Sequence, residues 1–304
     1  MLGFARRHPH FVFRPSQALR RVGQKFQAPA KAGEFREAVL PWGLRIRYRP
    51  DEHIGEFIHH HGLYDLCVSE TLYRLSDPGE IALDVGGNIG QMASILAHRV
   101  GRSGHVHVFE PHPEILEELR ANVALWRRDP RAAEVTVHPI ALSETAGEGK
   151  LAMSSSFDDN RGTAALVDAD DTQPRQRTHT VKLARLDDTL PADVRVGVMK
   201  LDVEGHEFGV LKGATNLLKN GSIRDIMFED YGAPPTPVMS LLQSFGYRIY
   251  SVEQQLLGLR ANPTDDHVVE TRDSPPNYLA TLAPERALAR LARRGWGVFG
   301  MLKA

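Results

Sequence analysis

Acidic residues and glycines lie together where two predicted strands end. The apolar segment Ile81–Val85 predicts a buried strand, and Asp84 lies near its carboxyl end. A second predicted strand, His105–Phe109, is followed directly by Glu110. The turn after the first strand contains Gly86, Gly87, Asn88 and Gly90. In a βαβ unit, such glycines let the backbone approach a bound nucleotide, and the later carboxylate accepts hydrogen bonds from ribose hydroxyls. We therefore expect an adenosine-containing ligand.

The position of Asp84 discriminates between adenosine-containing cofactors. A dinucleotide site needs a G-x-G-x-x-G turn whose amides face a pyrophosphate, and the glycine spacing here differs from that pattern. A carboxylate is unfavourable beside a pyrophosphate but favourable beside a cationic sulfonium or an amino group. S-adenosylmethionine carries both of these groups and no phosphate. The pattern favours S-adenosylmethionine over NAD, while an NAD-linked oxidoreductase and a glycine turn without a ligand stay as alternatives.

A second acidic group follows the predicted strand Val196–Leu201. Lys200 and Asp202 are two residues apart at its end and share a face, and Glu204 and Glu207 follow at the opening of the next helix. A lysine can stabilise a developing alkoxide, and a carboxylate can take the proton of an attacking hydroxyl. We predict Asp202 or Glu204 as base or orienting group, with Lys200 as electrostatic partner. The alternative is an ion pair beside acids that only favour the helix dipole.

Metal binding is a weaker interpretation of these acids. Asp202, Glu229 and Asp230 could hold Mg²⁺ through their oxygens and orient a diol. Nothing in their spacing requires it, and the sequence predicts no metal site.

Composition indicates a globular α/β protein whose charge is unevenly distributed. The chain has 304 residues and a net charge of −1, yet residues 1–33 carry seven Lys or Arg and no acid, and residues 285–304 carry a net +4. The middle of the chain is therefore acidic, and no basic face for nucleic acid is predicted. A single cysteine, Cys67, and the lack of a bilayer-length apolar run or a signal-peptide core predict a soluble, cytoplasmic protein.

The basic ends have two interpretations. They can be solvated tails, or they can contact an anionic membrane surface peripherally. Residues 288–302 resemble a short interfacial helix with an apolar tip. An Arg-rich, acid-poor N-terminus is also typical of an organellar transit peptide.

The order of predicted elements defines three regions. Strands and helices alternate over residues 41–282, which predicts one α/β domain with a mostly parallel sheet. Residues 1–40 form a basic extension, and residues 283–304 form a basic and apolar tail. Within the domain, residues 143–178 are rich in Ser, Asp, Thr and Gly and show no regular period. We expect this insertion to be a lid over cofactor and substrate.

These motifs together resemble the FkbM family of S-adenosylmethionine-dependent methyltransferases. The resemblance covers roughly residues 40–255 and rests on three places in order. They are Asp84–Gly90, Val108–Glu114, and the run from Leu186 through Lys200-Leu201-Asp202-Val203-Glu204-Gly205-His206-Glu207 to Ala214. The third motif is the most specific. The family usually has Ala at the position of Gly87, and it leaves the position of His206 variable, so His206 is expected to be a bystander.

The resemblance implies a class I, Rossmann-like methyltransferase fold with a seven-stranded, mostly parallel sheet and helices on both faces. It also implies methyl transfer to a hydroxyl of a sugar, glycan or natural product, without naming the acceptor. By matching roles, Glu110 with Pro111 binds the ribose, Asp84 and the 86–90 turn bind the methionine portion, and Ala141 and Leu142 flank the adenine. A binding protein that kept this fold but lost its chemistry is the remaining alternative.

Overall fold

The computed structural model describes residues 33–153, 160–167, 177–264 and 277–302, together with Pro9, Phe13, Lys31 and Phe157. Most of the basic N-terminal extension and part of the polar insertion therefore lie outside the described residues.

The described residues form fourteen strands and nine α-helices. The strands are β1 (Arg36–Val39), β2 (Arg45–Tyr48), β3 (Ile81–Val85), β4 (His105–Phe109), β5 (Glu134–His138), β6 (Ala141–Leu142), β7 (Gly147–Met153), β8 (Ala165–Val167), β9 (Arg177–Ala184), β10 (Val196–Leu201), β11 (Ile223–Glu229), β12 (Arg248–Gln255), β13 (Gly258–Pro263) and β14 (Asn277–Thr281). The helices are α1 (His53–His61), α2 (Leu66–Leu75), α3 (Gln91–Val100), α4 (Pro113–Trp126), α5 (Leu186–Thr189), α6 (Glu207–Gly213), α7 (Thr215–Lys219), α8 (Pro237–Ser244) and α9 (Pro284–Leu291).

Eight strands form the central sheet in the order β13-β12-β14-β11-β10-β3-β4-β5. The five from β11 to β5 pair in parallel, whereas β14 is antiparallel to both of its neighbours. The predicted mostly parallel α/β sheet is confirmed. It has eight strands rather than the expected seven because β13 pairs with β12 as an added antiparallel edge strand.

Alternating side chains of the sheet give each face its own core. Ala82 and Val198 belong to the cluster that packs α2, α3 and α4, while Leu83, Met199 and Leu201 belong to the cluster that packs α6 and α8. The strands are buried on both faces, as expected for parallel strands covered by helices. Because chain direction is shared, the carboxyl ends of β3, β4, β10 and β11 meet at one rim.

The polar insertion contains regular structure that the sequence did not indicate. Strands β6, β9, β7 and β8 form a second sheet, in which β7 pairs antiparallel with both β8 and β9. The expectation that residues 143–178 lack regular structure is wrong for β7 and β8. Polar side chains on the exposed face hid the alternation, since only Leu151, Ala152 and Met153 of β7 are buried.

The C-terminal segment packs against the domain. Helix α9 buries Ala287 and Leu291, and the following turn buries Trp296 and Val298 beside α2. The expected exposed apolar tip is therefore wrong for Trp296 and Val298. Among the described residues, no helix has the length and apolarity needed to cross a membrane.

Candidate functional site

A cleft open to solvent lies at the carboxyl ends of the central parallel strands. The predicted residues that line it are Gly86, Gly87, Asn88, Glu110, Pro111, Ala141, Leu142, Lys200, Asp202 and Glu204. Two further predicted residues, Asp84 and Gly90, lie behind its wall. A second hollow of about 740 Å³ shares Asp202, Glu204 and Glu229 with this cleft, and we call it the outer pocket.

The glycine turn is fixed by close backbone packing. Gly86 has a φ of +80°, and a Cβ there would lie 1.8 Å from the carbonyl oxygen of Asp202. A Cβ on Gly87 would lie 2.2 Å from Val108 Cγ1. A side chain at Gly86 would displace the turn, because it would meet backbone, whereas a Cβ at Gly87 would require the Val108 side chain to move. Gly90, with a φ of +94°, instead makes room for Leu119 and Trp126 and does not reach the cleft.

Glu110 is held rigidly at the end of β4. Its two carboxylate oxygens accept hydrogen bonds from the backbone N–H groups of Asn88 and His112, each at 2.9 Å. Burial raises the pKa of Glu110 to about 7, although these two bonds oppose the shift. A carboxylate oxygen has two lone pairs, so Glu110, which lines the cleft, can still accept hydrogen bonds from the hydroxyls of a ribose.

Lys200 lies beneath the glycine turn rather than free in the cleft. Its Nζ donates to the carbonyl oxygen of Gly86 at 2.7 Å and lies 3.2 Å from Asp202 Oδ2 and 3.7 Å from Asp84 Oδ1. Although burial acts in the opposite direction, the two carboxylates raise the pKa of Lys200 overall, so it stays charged. Lys200 therefore joins strand β10 to the turn after β3.

Asp84 is fully buried behind the turn. Burial raises its pKa to about 6, and the nearby charge of Lys200 opposes the rise. Its predicted contact with the methionine portion would have to run through the turn, because Asp84 is absent from the cleft lining.

The acids at the cleft mouth are crowded. Although Glu204 is exposed there, desolvation within the cleft and the charges of Asp202 and Glu207 raise its pKa to about 7. Glu229 is half-buried, and desolvation with the charges of Asp202 and Asp65 raises its pKa to about 8. Groups that titrate near neutrality can accept a proton from a bound hydroxyl at neutral pH.

The polar insertion supplies one wall of the cleft. A 3-10 turn over Arg161–Thr163 contributes Arg161 and Gly162 to the lining. The guanidinium of Arg161 forms ion pairs with Glu118 and, at 3.0 Å, with Glu114 on α4. This placement agrees with a covering role for the insertion, whereas a lid motion stays a prediction.

Apolar residues flank the predicted adenine position. Ala141 and Leu142 are buried in β6, and Ile115, Leu151 and Leu166 line the cleft with them. His206 also lines it, and its Nε2 lies 3.0 Å from Ser143 Oγ. A mostly apolar lining with a few polar groups is typical of small-molecule sites, and it suits an adenine ring.

Tyr64 and Asp65 line the cleft from the N-terminus of α2, although neither was assigned a role from the sequence. Asp65 caps that helix through Val68 N–H at 2.9 Å, and its φ of +41° is unusual for a residue other than glycine. Both residues lie within the stretch that resembles the FkbM family, but the resemblance gave them no individual function.

The fold and the cleft define a class I methyltransferase. Each part of the cofactor has a matching surface. The carboxylate of Glu110 suits the ribose, the turn at Gly86 and Gly87 suits the methionine portion, and the apolar lining at Leu142 suits the adenine. S-adenosylmethionine is the cofactor that these surfaces fit, as the sequence predicted.

Comparison with known proteins identifies the family. The model of the methyltransferase FkbM domain matches residues 84–249, and the chain belongs to this family. The chain is 28% identical to hexuronic acid methyltransferase AglP of Haloferax volcanii over 58% of its own length and 66% of that protein. It is also 28% identical to Methyltransferase 1 of Beauveria bassiana over 52% of its length and 66% of that protein. The chain thus spans just under two thirds of these relatives.

A solved FkbM methyltransferase from Methylobacillus flagellatus is similar at 16% identity and a TM-score of 0.43, covering 75% of this chain and 52% of the other.

Proposed function

We propose that this protein transfers a methyl group from S-adenosylmethionine to a hydroxyl oxygen of a sugar, glycan or related natural product. Family membership supports the methyl transfer, and the name of the relative AglP supports a sugar acceptor. The observation that carries the choice of oxygen is the group of carboxylates at the cleft mouth, of which Glu204 has a pKa near 7 and Glu229 near 8. A hydroxyl needs a nearby base to become a good nucleophile, and these acids supply one.

Each residue of the site has its own role in the proposed methyl transfer. The cofactor, when bound, supplies an activated methyl group on a sulfonium. Glu110 and the turn at Gly86 orient the cofactor, so that methyl group and acceptor oxygen meet in line. The Lys200 Nζ lies 3.2 Å from Asp202 Oδ2 and holds that carboxylate in place as an orienting group. Glu204, which forms no ion pair with any described residue, takes the proton of the acceptor hydroxyl.

Calorimetric titration with S-adenosylhomocysteine, with NAD⁺ as a parallel titrant, tests the cofactor part. We expect saturable binding of S-adenosylhomocysteine alone, lost in Glu110→Ala and retained in Glu117→Ala, an exposed acid on α4. Binding of NAD⁺ instead would support the oxidoreductase alternative. Binding of S-adenosylhomocysteine without transfer of labelled methyl to any hydroxylated acceptor would support the binding-protein alternative.

A further inference from the structure

The outer pocket has the position that an acceptor must take. It opens beside the cofactor cleft and shares Asp202, Glu204 and Glu229 with it, so a molecule bound there would contact the acids to which the proposed function gives the acceptor hydroxyl. Its remaining lining comes from α6, from the loop after β11 and from the start of α8. These residues are Gly205, Glu207, Phe208, Asp230, Tyr231, Gly232, Pro237 and Val238.

The charge of this lining has one sign. Five of the eleven residues carry a carboxylate, and none of them is Lys or Arg. Two cations lie beside this lining, but Lys200 is held by Asp202 and the Gly86 carbonyl, and the Lys212 Nζ lies 5.5 Å from the ring of Phe208. Above the raised pKa values of Glu204 and Glu229, a carboxylate on the acceptor would face a lining of its own sign, in surroundings where water screens charge poorly. A hydroxyl or an ammonium group would find acceptors on several sides.

Individual bonds show which oxygens stay available. Glu207 accepts from the N–H groups of Val203 and Gly205, and Asp230 accepts from Gly232 N–H and from the Thr236 hydroxyl at 2.5 Å. These bonds fix the two carboxylates in place without neutralising them.

Glu229 is the least constrained of the half-buried acids. It accepts only a long hydrogen bond, 3.4 Å, from the Tyr231 hydroxyl, and no described cation forms an ion pair with it. Fixed carboxylates with spare lone pairs favour ligands with several donor groups.

Two exposed aromatic rings complete the outer pocket. Phe208 is 39% exposed and Tyr231 is 71% exposed, and both line the pocket beside the carboxylates. Their rings add apolar surface to a lining that is otherwise mostly polar, and a flat ligand ring can pack against them. A ring with an apolar face and hydroxyls around its edge matches both features, because the face packs on the aromatic rings and the hydroxyls donate to the acids.

We propose that the acceptor is a neutral or amine-bearing glycoside and that the outer pocket excludes uronates. This inference rests on the proposed function, and it separates this protein from its relative AglP, whose name specifies a hexuronic acid. The carboxylates of Glu229 and Asp230 act as specificity residues. They accept hydrogen bonds from hydroxyl and ammonium groups of the acceptor, and they repel an acceptor carboxylate.

Four matched acceptors test this specificity. Methyl transfer from labelled S-adenosylmethionine is measured at about pH 9, where Glu204 and Glu229 are ionised, to a hexopyranoside, its 2-amino analogue, the corresponding uronate and the methyl ester of that uronate. The uronate and its ester differ almost only in charge. We expect kcat/KM for the ester and the hexopyranoside to exceed that for the uronate at least tenfold, with a preference that weakens as salt is raised. Equal or faster methylation of the uronate would overturn the proposal.

Two variants assign the discrimination to the outer pocket. Glu229→Gln and Asp230→Asn should each reduce the ester-to-uronate ratio severalfold, whereas Glu148→Gln, an equal charge change at an exposed position of β7, should leave it unchanged. An unchanged ratio in both pocket variants would contradict the assignment. If no glycoside is methylated while S-adenosylhomocysteine still binds, the acceptor proposal fails and the cofactor assignment stands. If S-adenosylhomocysteine does not bind, the proposed function itself has failed.

Discussion

Three non-glycine residues in the described part of the chain have left-handed backbone, namely Asp65, Asn88 and Glu204, and all three line the cleft. Asn tolerates this conformation well, but for Asp65 and Glu204 it costs of order 1 kcal/mol or more. Strained positions persist where surrounding structure holds them, and they concentrate at sites of function. Glu204 is therefore distinguished twice, by its backbone conformation and by its raised pKa.

Glu110 should make cofactor binding depend on pH. Its pKa of about 7 in the free protein means that it is largely protonated at pH 6, whereas ribose hydroxyls bind best to the ionised form. Affinity for S-adenosylhomocysteine should therefore rise between pH 6 and pH 8, by up to about tenfold per unit below the pKa. Calorimetry across this range measures it.

The stability of the free protein should change in the opposite direction. The pKa of Glu110 is higher in the folded state than its ordinary value of 4.5, so its contribution to the free energy of unfolding falls as pH rises from about 4.5 to about 7.

Glu110→Gln should bind S-adenosylhomocysteine more weakly at pH 8 and show a flatter pH dependence of affinity. An unaltered slope in this variant would remove Glu110 from the explanation.

Glu204 should control the chemical step. Glu204→Gln removes the proton acceptor without changing shape, so single-turnover methyl transfer should slow by roughly 10²-fold or more, while affinity for S-adenosylhomocysteine changes little. Asp188→Asn, an exposed acid on α5, is the control. A transfer rate within twofold of the unmodified protein would show that another group takes the proton.

At the scale of elements, the sequence predicted the strands, turns and helices that depend on local residue patterns. The strand, turn, helix and acid from Ile81 to Glu110 follow from apolar periodicity and glycine position, and the structure confirms these elements. Lys200 shows the limit, because its nearest partner is a backbone carbonyl of Gly86, 114 residues earlier, which no local pattern reveals. The second sheet was missed for a related reason, since its strands bury few side chains and carry mixed polar sequence.

The insertion should contribute to cofactor affinity through Arg161. Arg161→Ala removes both ion pairs to α4, yet Glu118 keeps Arg49 as partner at 2.7 Å, so the helix loses little. We expect affinity for S-adenosylhomocysteine to fall about tenfold, with a loss of about 1–3 kcal/mol in stability. Arg120→Ala breaks an exposed ion pair on the same helix and should change neither quantity by much. Unchanged affinity in Arg161→Ala would show that the turn does not support the cofactor.

At the scale of the molecule, two cores and one C-terminal segment surround the sheet. The segment after α9 completes the core on the α2 side, because Trp296 and Val298 are fully buried there. Composition indicated that this end of the chain is basic and apolar. It could not distinguish an apolar segment that contacts a membrane surface from one that is buried against the domain. The C-terminal segment is buried because polar residues of α2, themselves buried, form hydrogen bonds with its backbone.

The buried pair of Glu70 and Arg74 on α2 should carry much of the stability of this arrangement. The Arg74 side chain is 1% exposed and donates to backbone carbonyls between residues 290 and 295 at 2.5–3.0 Å, while Glu70 accepts from Gly297 N–H at 2.7 Å and Val298 N–H at 2.9 Å. Arg74→Met leaves a buried acid without its cation and several carbonyls without donors. It should lower the free energy of unfolding by about 3–5 kcal/mol, measured by urea denaturation. Arg294→Met, at an exposed position of the same segment, should stay within about 0.5 kcal/mol of the unmodified protein. Equal losses in the two variants would mean that the segment is held by its apolar contacts alone.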